Sequence, residues 1–232
     1  MSWLRHRRWT VGLVLGLGAW LLVSGTAEAN VLCRILPMRC TYEGVAFRFT
    51  VVDAETRQPL GDVHALAEWV LMGMFSGHGG PLMVLDAVSG PDGQLTFPAW
   101  GPIRGPRTGL RLNSDPLVIL FKSSYKTLRL VNPPPPGTTE TTRVRRFGRD
   151  GQTIALEPFR GTPDEWVEQL RQVLRGGAMR NEDDSRKFRD PYLNRVRRVW
   201  AEREKVPERH RVRPGFFWFV EREMKELEET PQ

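Results

Sequence analysis

The sequence predicts a mainly β protein, a sandwich of seven to eight strands followed by an α-helical C-terminal extension of about three helices. Three observations predict it. Between Gly44 and Phe159, short alternating or apolar runs are separated by Gly, Pro and Asp-Gly turn signals. From Thr162 onward the apolar period changes to that of a helix. The 232 residues are 40% hydrophobic and 26% charged, a globular composition that excludes full disorder. That length suits one domain with an appendage, or two small domains.

Residues 1–29 read as a secretory signal. Arg5, His6, Arg7 and Arg8 form a basic head, residues 10–23 an apolar middle, and Ala27-Glu28-Ala29 a small-residue exit. Cleavage after Ala29 would start the mature chain at Asn30 and place it in the periplasm or outside the cell. The apolar run is short for a membrane span; an uncleaved anchor is the competing reading. Arg7-Arg8 continues into Trp9-Thr10, a poor twin-arginine signal, and Leu32 before Cys33 argues against a lipid anchor. Cys33 and Cys40 are the only cysteines, and in an oxidising compartment such a pair reads as a disulfide tying down residues 30–43. The loop is short, so the gain is on the order of 2–3 kcal/mol. A redox pair would call for C-x-x-C spacing, which is absent.

The sandwich is expected over residues 44–160. Residues 45–52 alternate and then run apolar, and 53–61 form a turn rich in Asp, Thr, Pro and Gly. Residues 63–74 give a long, bent second strand, 76–81 a loop by composition, and 82–89 a third strand. Gly90-Pro91-Asp92-Gly93 turns the chain into a fourth strand, 95–100. A Pro/Gly-dense stretch covers 101–109. Residues 116–122 are continuously apolar, as for a strand covered on both faces. Strands at 127–131, 141–147 and 153–156 complete the set, with residues 133–136, four prolines, as a stiff spacer.

Residues 161–232 form the charged helical region. Thr162-Pro163-Asp164-Glu165 is a capping box with proline at the first helical position, and Trp166, Val167, Leu170, Val173 and Leu174 make one stripe. Gly176-Gly177 stops that helix, and residues 181–185 read as an acidic link. Asp190-Pro191 opens a second helix, ended by Pro207, and Pro214-Gly215 a third over 216–229. From Arg160 on, 17 basic face 15 acidic residues, near balance. Without residues 1–29 the chain carries 31 basic against 26 acidic residues, too thin an excess to point to nucleic acid. Arg195, Arg197, Arg198 and Arg203 crowd the second helix, either a solvated face or a patch for anionic lipid or envelope polymer. Phe216-Phe217-Trp218-Phe219 cannot all face inward on a helix, which makes Trp218 a candidate contact residue together with Arg195, Arg198 and, in the rim loop at 76–81, His78.

Residues 49–56 (FTVVDAET), Pro59-Leu60, Val63, Asp92-Gly93 with Leu95 and Phe97, and Tyr125 resemble the carboxypeptidase regulatory-like domain, across roughly residues 44–158. The resemblance implies a transthyretin-like β-sandwich and a non-catalytic accessory role. Residues 86–89, 97–102 and Phe121-Lys122 also resemble a group of uncharacterised bacterial exported proteins. The His-x-x-Glu pair of metallocarboxypeptidases and the Tyr-Arg-Gly-Ser ending of transthyretin-like hydrolases are both missing.

No catalytic set emerges, and no cofactor or metal is expected. His64 alternates within a strand, His210 lies among charges, and no G-x-S-x-G elbow, phosphate loop or calcium loop occurs. His78, among glycines, with Asp86 is the nearest thing to a weak metal or ligand site on the sandwich rim. The expected function is a non-catalytic exported envelope module that binds a protein partner or envelope polymer, with the membrane reached only peripherally or through an uncleaved signal. The alternative is an enzyme, or an accessory subunit of one, with a site near His78.

Overall fold

The computed structural model describes residues 41–73, 77–105, 111–112, 115–132, 137, 143–176 and 182–230. The signal-like segment, Cys33, Cys40 and the proline run at 133–136 lie outside the described residues. A β-rich, sandwich-like core carries helices on one side.

Eleven strands are described: β1 (Thr41–Gly44), β2 (Phe47–Asp53), β3 (His64–Gly73), β4 (Gly77–Val88), β5 (Gln94–Phe97), β6 (Trp100–Arg104), β7 (Arg111–Leu112), β8 (Leu117–Phe121), β9 (Leu128–Val131), β10 (Val144–Arg145) and β11 (Thr153–Leu156). They form three sheets, ordered β10-β1-β6, β11-β2-β5 and β4-β3-β8-β9, with β7 also paired to β3. The helices are α1 (Pro163–Leu174), α2 (Glu182–Lys187), α3 (Arg189–Trp200), α4 (Glu208–Arg211) and α5 (Phe216–Glu229), with a 3₁₀ turn at Arg203–Lys205.

The largest sheet is the middle layer. Period-two alternation sends Ala65, Ala67, Trp69 and Leu71 of β3 into one core, shared with the two small sheets, where Phe47, Phe49, Phe97 and Phe147 cluster. The opposite face, through Leu66, Val84 and Phe121, packs on Trp166, Val167, Leu170, Tyr192, Val196, Phe217 and Val220 of the helices. β8 sits between both cores, and all five of its residues are buried, as its unbroken apolar sequence requires. Leu66 and Tyr192 therefore share a core although 126 positions separate them, and the helical region is a layer on the sheet, not a free arm.

Several expectations are corrected. The strand count rises from seven or eight to eleven because β1 falls in or beside the segment expected as a tied N-terminus, β6 in the Pro/Gly-dense stretch, and β7 where no element was expected; β6 pairs antiparallel with β1. Residues 77–81, expected as loop, begin β4. β4 is an edge strand, where Pro81 leaves no central ladder bond unmade, and its register with β3 is irregular there. The acidic link expected at 181–185 is largely the short helix α2. The capping box of α1 forms in both directions, with Glu165 accepting from the Thr162 backbone at 2.6 Å. The third helix spans 216–229 with Gly215 as its N-cap.

Candidate functional site

The greatest concentration of buried titratable side chains lies between β3–β4 and α3. On β3, the alternation that points Ala65 and Ala67 to the first core points His64, Leu66 and Glu68 at the helices. Asp86, paired across from Leu66, is diagonal to His64 on that face. His64 Nε2 donates to Asp86 Oδ2 at 3.3 Å, and Asn194 Nδ2 donates to the same oxygen at 3.0 Å. Tyr192 and Arg195, three apart on α3, face the sheet next to Val196 and Val199. Tyr192 Oη donates to Glu68 Oε1 at 3.3 Å. The Arg195 guanidinium stacks 5.0 Å from the Tyr192 ring centre and lies 3.9 Å from Glu223 of α5. Gly176, just past α1, permits a close approach: a Cβ there would lie 2.9 Å from Glu68 Oε1 and 3.3 Å from Arg195 Nη1. Arg198 reaches Asp62 at 2.8 Å at the solvent edge.

Burial sets the electrostatics of this joint. His64 is 1% exposed. Desolvation holds its imidazole below the ordinary range, against the opposing pull of Asp86. Burial pushes the Asp86 carboxyl up, but hydrogen bonds from His64 and Asn194 outweigh it and leave the group below its usual range. Both shifts have one consequence. The unfolded chain takes up a proton on histidine below pH about 6.5 while the folded chain resists it, so stability falls as pH drops through that range. Asp86 adds a loss of the same sign in the carboxylate range. The melting temperature is expected to fall between pH 7.5 and 5.5, and His64→Leu to flatten that slope; an unchanged slope would show the imidazole to be hydrated.

A second polar node joins α1 to the turn after β8. Glu202, buried, accepts from Trp166 Nε1 at 3.2 Å, Ser123 Oγ at 3.3 Å and Lys205 Nζ at 3.0 Å. It borders a groove of about 200 Å³ lined by Ser124, Phe159, Gly161, Pro163, Trp166 and Lys205. Ser123 Oγ also accepts from Lys205 at 2.6 Å, so the hydroxyl is held at both ends, and the node fastens three segments together. Farther off, Arg145 Nε donates to Asp115 Oδ1 at 2.5 Å with both side chains fully buried.

The contact residues singled out from sequence, where their side chains are described, lie on two elements, Arg195 and Arg198 on α3 and Trp218 on α5. The backbone of His78 pairs with Met72 in the β3–β4 ladder, and its side chain lies outside the described residues. Asp86, the partner expected for it, holds His64 and Asn194. Arg195 is corrected as a surface contact: it is 1% exposed, because its position three residues after Tyr192 turns it inward. Arg198 stays at the edge, partly exposed. Trp218 is half-buried and Phe219 more exposed, while Phe216 and Phe217 are buried. Cys33 and Cys40 lie outside the described residues. Among the described residues, no group of three His, Cys, Asp or Glu is placed to hold a metal ion, and no helix is long and apolar enough to cross a membrane. Glu68 and Glu202 went unnoticed in the sequence, and Tyr192 was read only as an apolar position of the second helix. His64 and Glu68 four apart on an otherwise apolar strand were the available signal, since a buried polar pair on one face demands partners.

No family model matches the chain, and no curated protein matches it. Among solved structures, 3-chlorocatechol 1,2-dioxygenase from Rhodococcus opacus 1CP is similar with 16% identity and a TM-score of 0.32 over 52% of this chain. The chain spans 62% of that structure's length. A likeness of this degree assigns neither family nor activity.

Proposed function

We propose that this chain is a non-catalytic, exported envelope module, built on a transthyretin-like sandwich of the carboxypeptidase regulatory-like kind, that binds a protein partner or an envelope polymer or surface through its helical layer. One observation carries the reading. His64, Glu68, Tyr192 and Arg195 are each at most 1% exposed, shut between sheet and helix, where acid–base groups hold layers together and a substrate has no approach. Export rests on the basic head, apolar middle and Ala-x-Ala exit of the first 29 residues.

The test is capture from the envelope fraction of the native host, using the chain and two variants. The module reading expects a bound component that Trp218→Ala loses and His78→Ala retains. Turnover of an envelope substrate that His78→Ala abolishes, at an unchanged melting temperature, would replace it with the enzymatic alternative.

A further inference from the structure

We propose that the corner between α4 and the first two turns of α5 is an interfacial anchor for an anionic lipid surface; the proposal rests on the helical layer being the contact side. Phe216, Phe217 and Val220 occupy the inward stripe of α5, so at 100° per residue Trp218 and Phe219 fall outside it. Phe219 is 48% exposed, and Val212, in the turn just before, is 49% exposed. Trp218 and Phe219 pack edge to face at 4.8 Å. Two guanidinium groups flank them: Arg213 lies 5.0 Å from the Trp218 ring centre, and Arg222 lies 5.4 Å from Trp218 and 5.8 Å from Phe219.

Most of the charge at this corner is locally paired, and Arg213 is the cation left over, with the exposed Glu208 of α4 as the nearby opposite charge. Arg209 and His210 both engage Asp164, and Arg211 engages Glu204. Glu221 is paired with Lys225. Arg213 has no ion pair among the described residues, and Arg222 has Glu226 at 3.4 Å, one turn farther along. The result is two exposed apolar side chains, Val212 and Phe219, at a corner where Arg213 and Arg222 lie against the aromatic rings.

Those side chains discriminate between polyanions. Val212 and Phe219 carry no polar side-chain atom, so the charged groups of a soluble polyanion gain neither a hydrogen bond nor an ion pair from them. Hydrocarbon at a bilayer boundary rewards them, tryptophan favours headgroup depth, and guanidinium forks match lipid phosphates. The lipid is therefore of the anionic phosphodiester class.

The full chain would be floated with phosphatidylcholine vesicles with and without phosphatidylglycerol, against Arg213→Ala/Arg222→Ala and Val212→Ser/Phe219→Ser. Comparing variants with the parent chain cancels whatever residues 1–29 contribute. Each arginine near an anionic surface contributes about fivefold, so the arginine variant should lose roughly 25-fold of the phosphatidylglycerol-dependent binding. The Val212/Phe219 variant should also lose binding, and added salt should weaken the parent. Melting curves establish folding; should the alanine pair unfold, Arg213→Gln/Arg222→Gln replaces it. Unchanged flotation of the arginine variant overturns the proposal. So does arginine-dependent binding of dextran sulfate with no loss in the Val212/Phe219 variant, which would assign the corner to a soluble polymer. Intact vesicle binding with no captured partner and a His78-dependent turnover would defeat the module reading and leave the anchor supported.

Discussion

Asp115→Ala is expected to cost about 3–5 kcal/mol of unfolding free energy, a large share of the stability a domain has. Asp115 precedes β8 and Arg145 lies in β10, so their 2.5 Å bond ties a small outer sheet to the middle layer. Burial pushes the Asp115 carboxyl up, and the Arg145 hydrogen bond only partly offsets this. Removing the carboxylate takes the Asp115 charge away from an enclosed guanidinium. Replacing both ends, Asp115→Leu with Arg145→Met, should recover most of the loss, because the double change removes the desolvation penalty with the pairing. Urea titration of the three variants measures this. A cost below about 1 kcal/mol, the range of exposed pairs, would show that water reaches the site.

Phe217→Ala should cost a similar amount, about 3–5 kcal/mol, as the removal of a large side chain from a filled core. Phe217 is fully buried, edge-on to Phe216 at 5.1 Å and to Trp200 at 6.0 Å. It is in the core that also covers Leu66, Val84 and Phe121 of the middle sheet. Because that sheet face is apolar, uncovering it is unfavourable, and sheet and helices should melt in one transition at a lower temperature. Far-ultraviolet and near-ultraviolet dichroism would report helix and aromatic core respectively. Two separated transitions would make the helices an independent unit.

Local signals carried much of this architecture. The continuous apolar run at β8 announced a strand covered twice, and it is. The capping box at Thr162 and the Pro214-Gly215 entry to α5 fixed helix starts because caps are chemistry within four residues. What was hidden depended on partners far along the chain. β6 pairs with β1, some 60 positions earlier, so its Pro and Gly content misled. Arg195 looked like its neighbours Arg197 and Arg198; only the sheet beneath α3 distinguishes it. The joint was half legible, since His64 and Glu68 declare one face, but Asp86, Tyr192 and Asn194 arrive from other elements.

The central claim is that these groups are a sealed joint between layers. Titrating the imidazoles by long-range proton–nitrogen NMR tests it directly, with only four histidines to assign. His64 should remain neutral, with its Nε2 proton held on Asp86, well below pH 6.5 for as long as the fold persists. An imidazole that titrates at or above that pH, in rapid exchange with solvent, would reveal an open acid–base group and contradict the account.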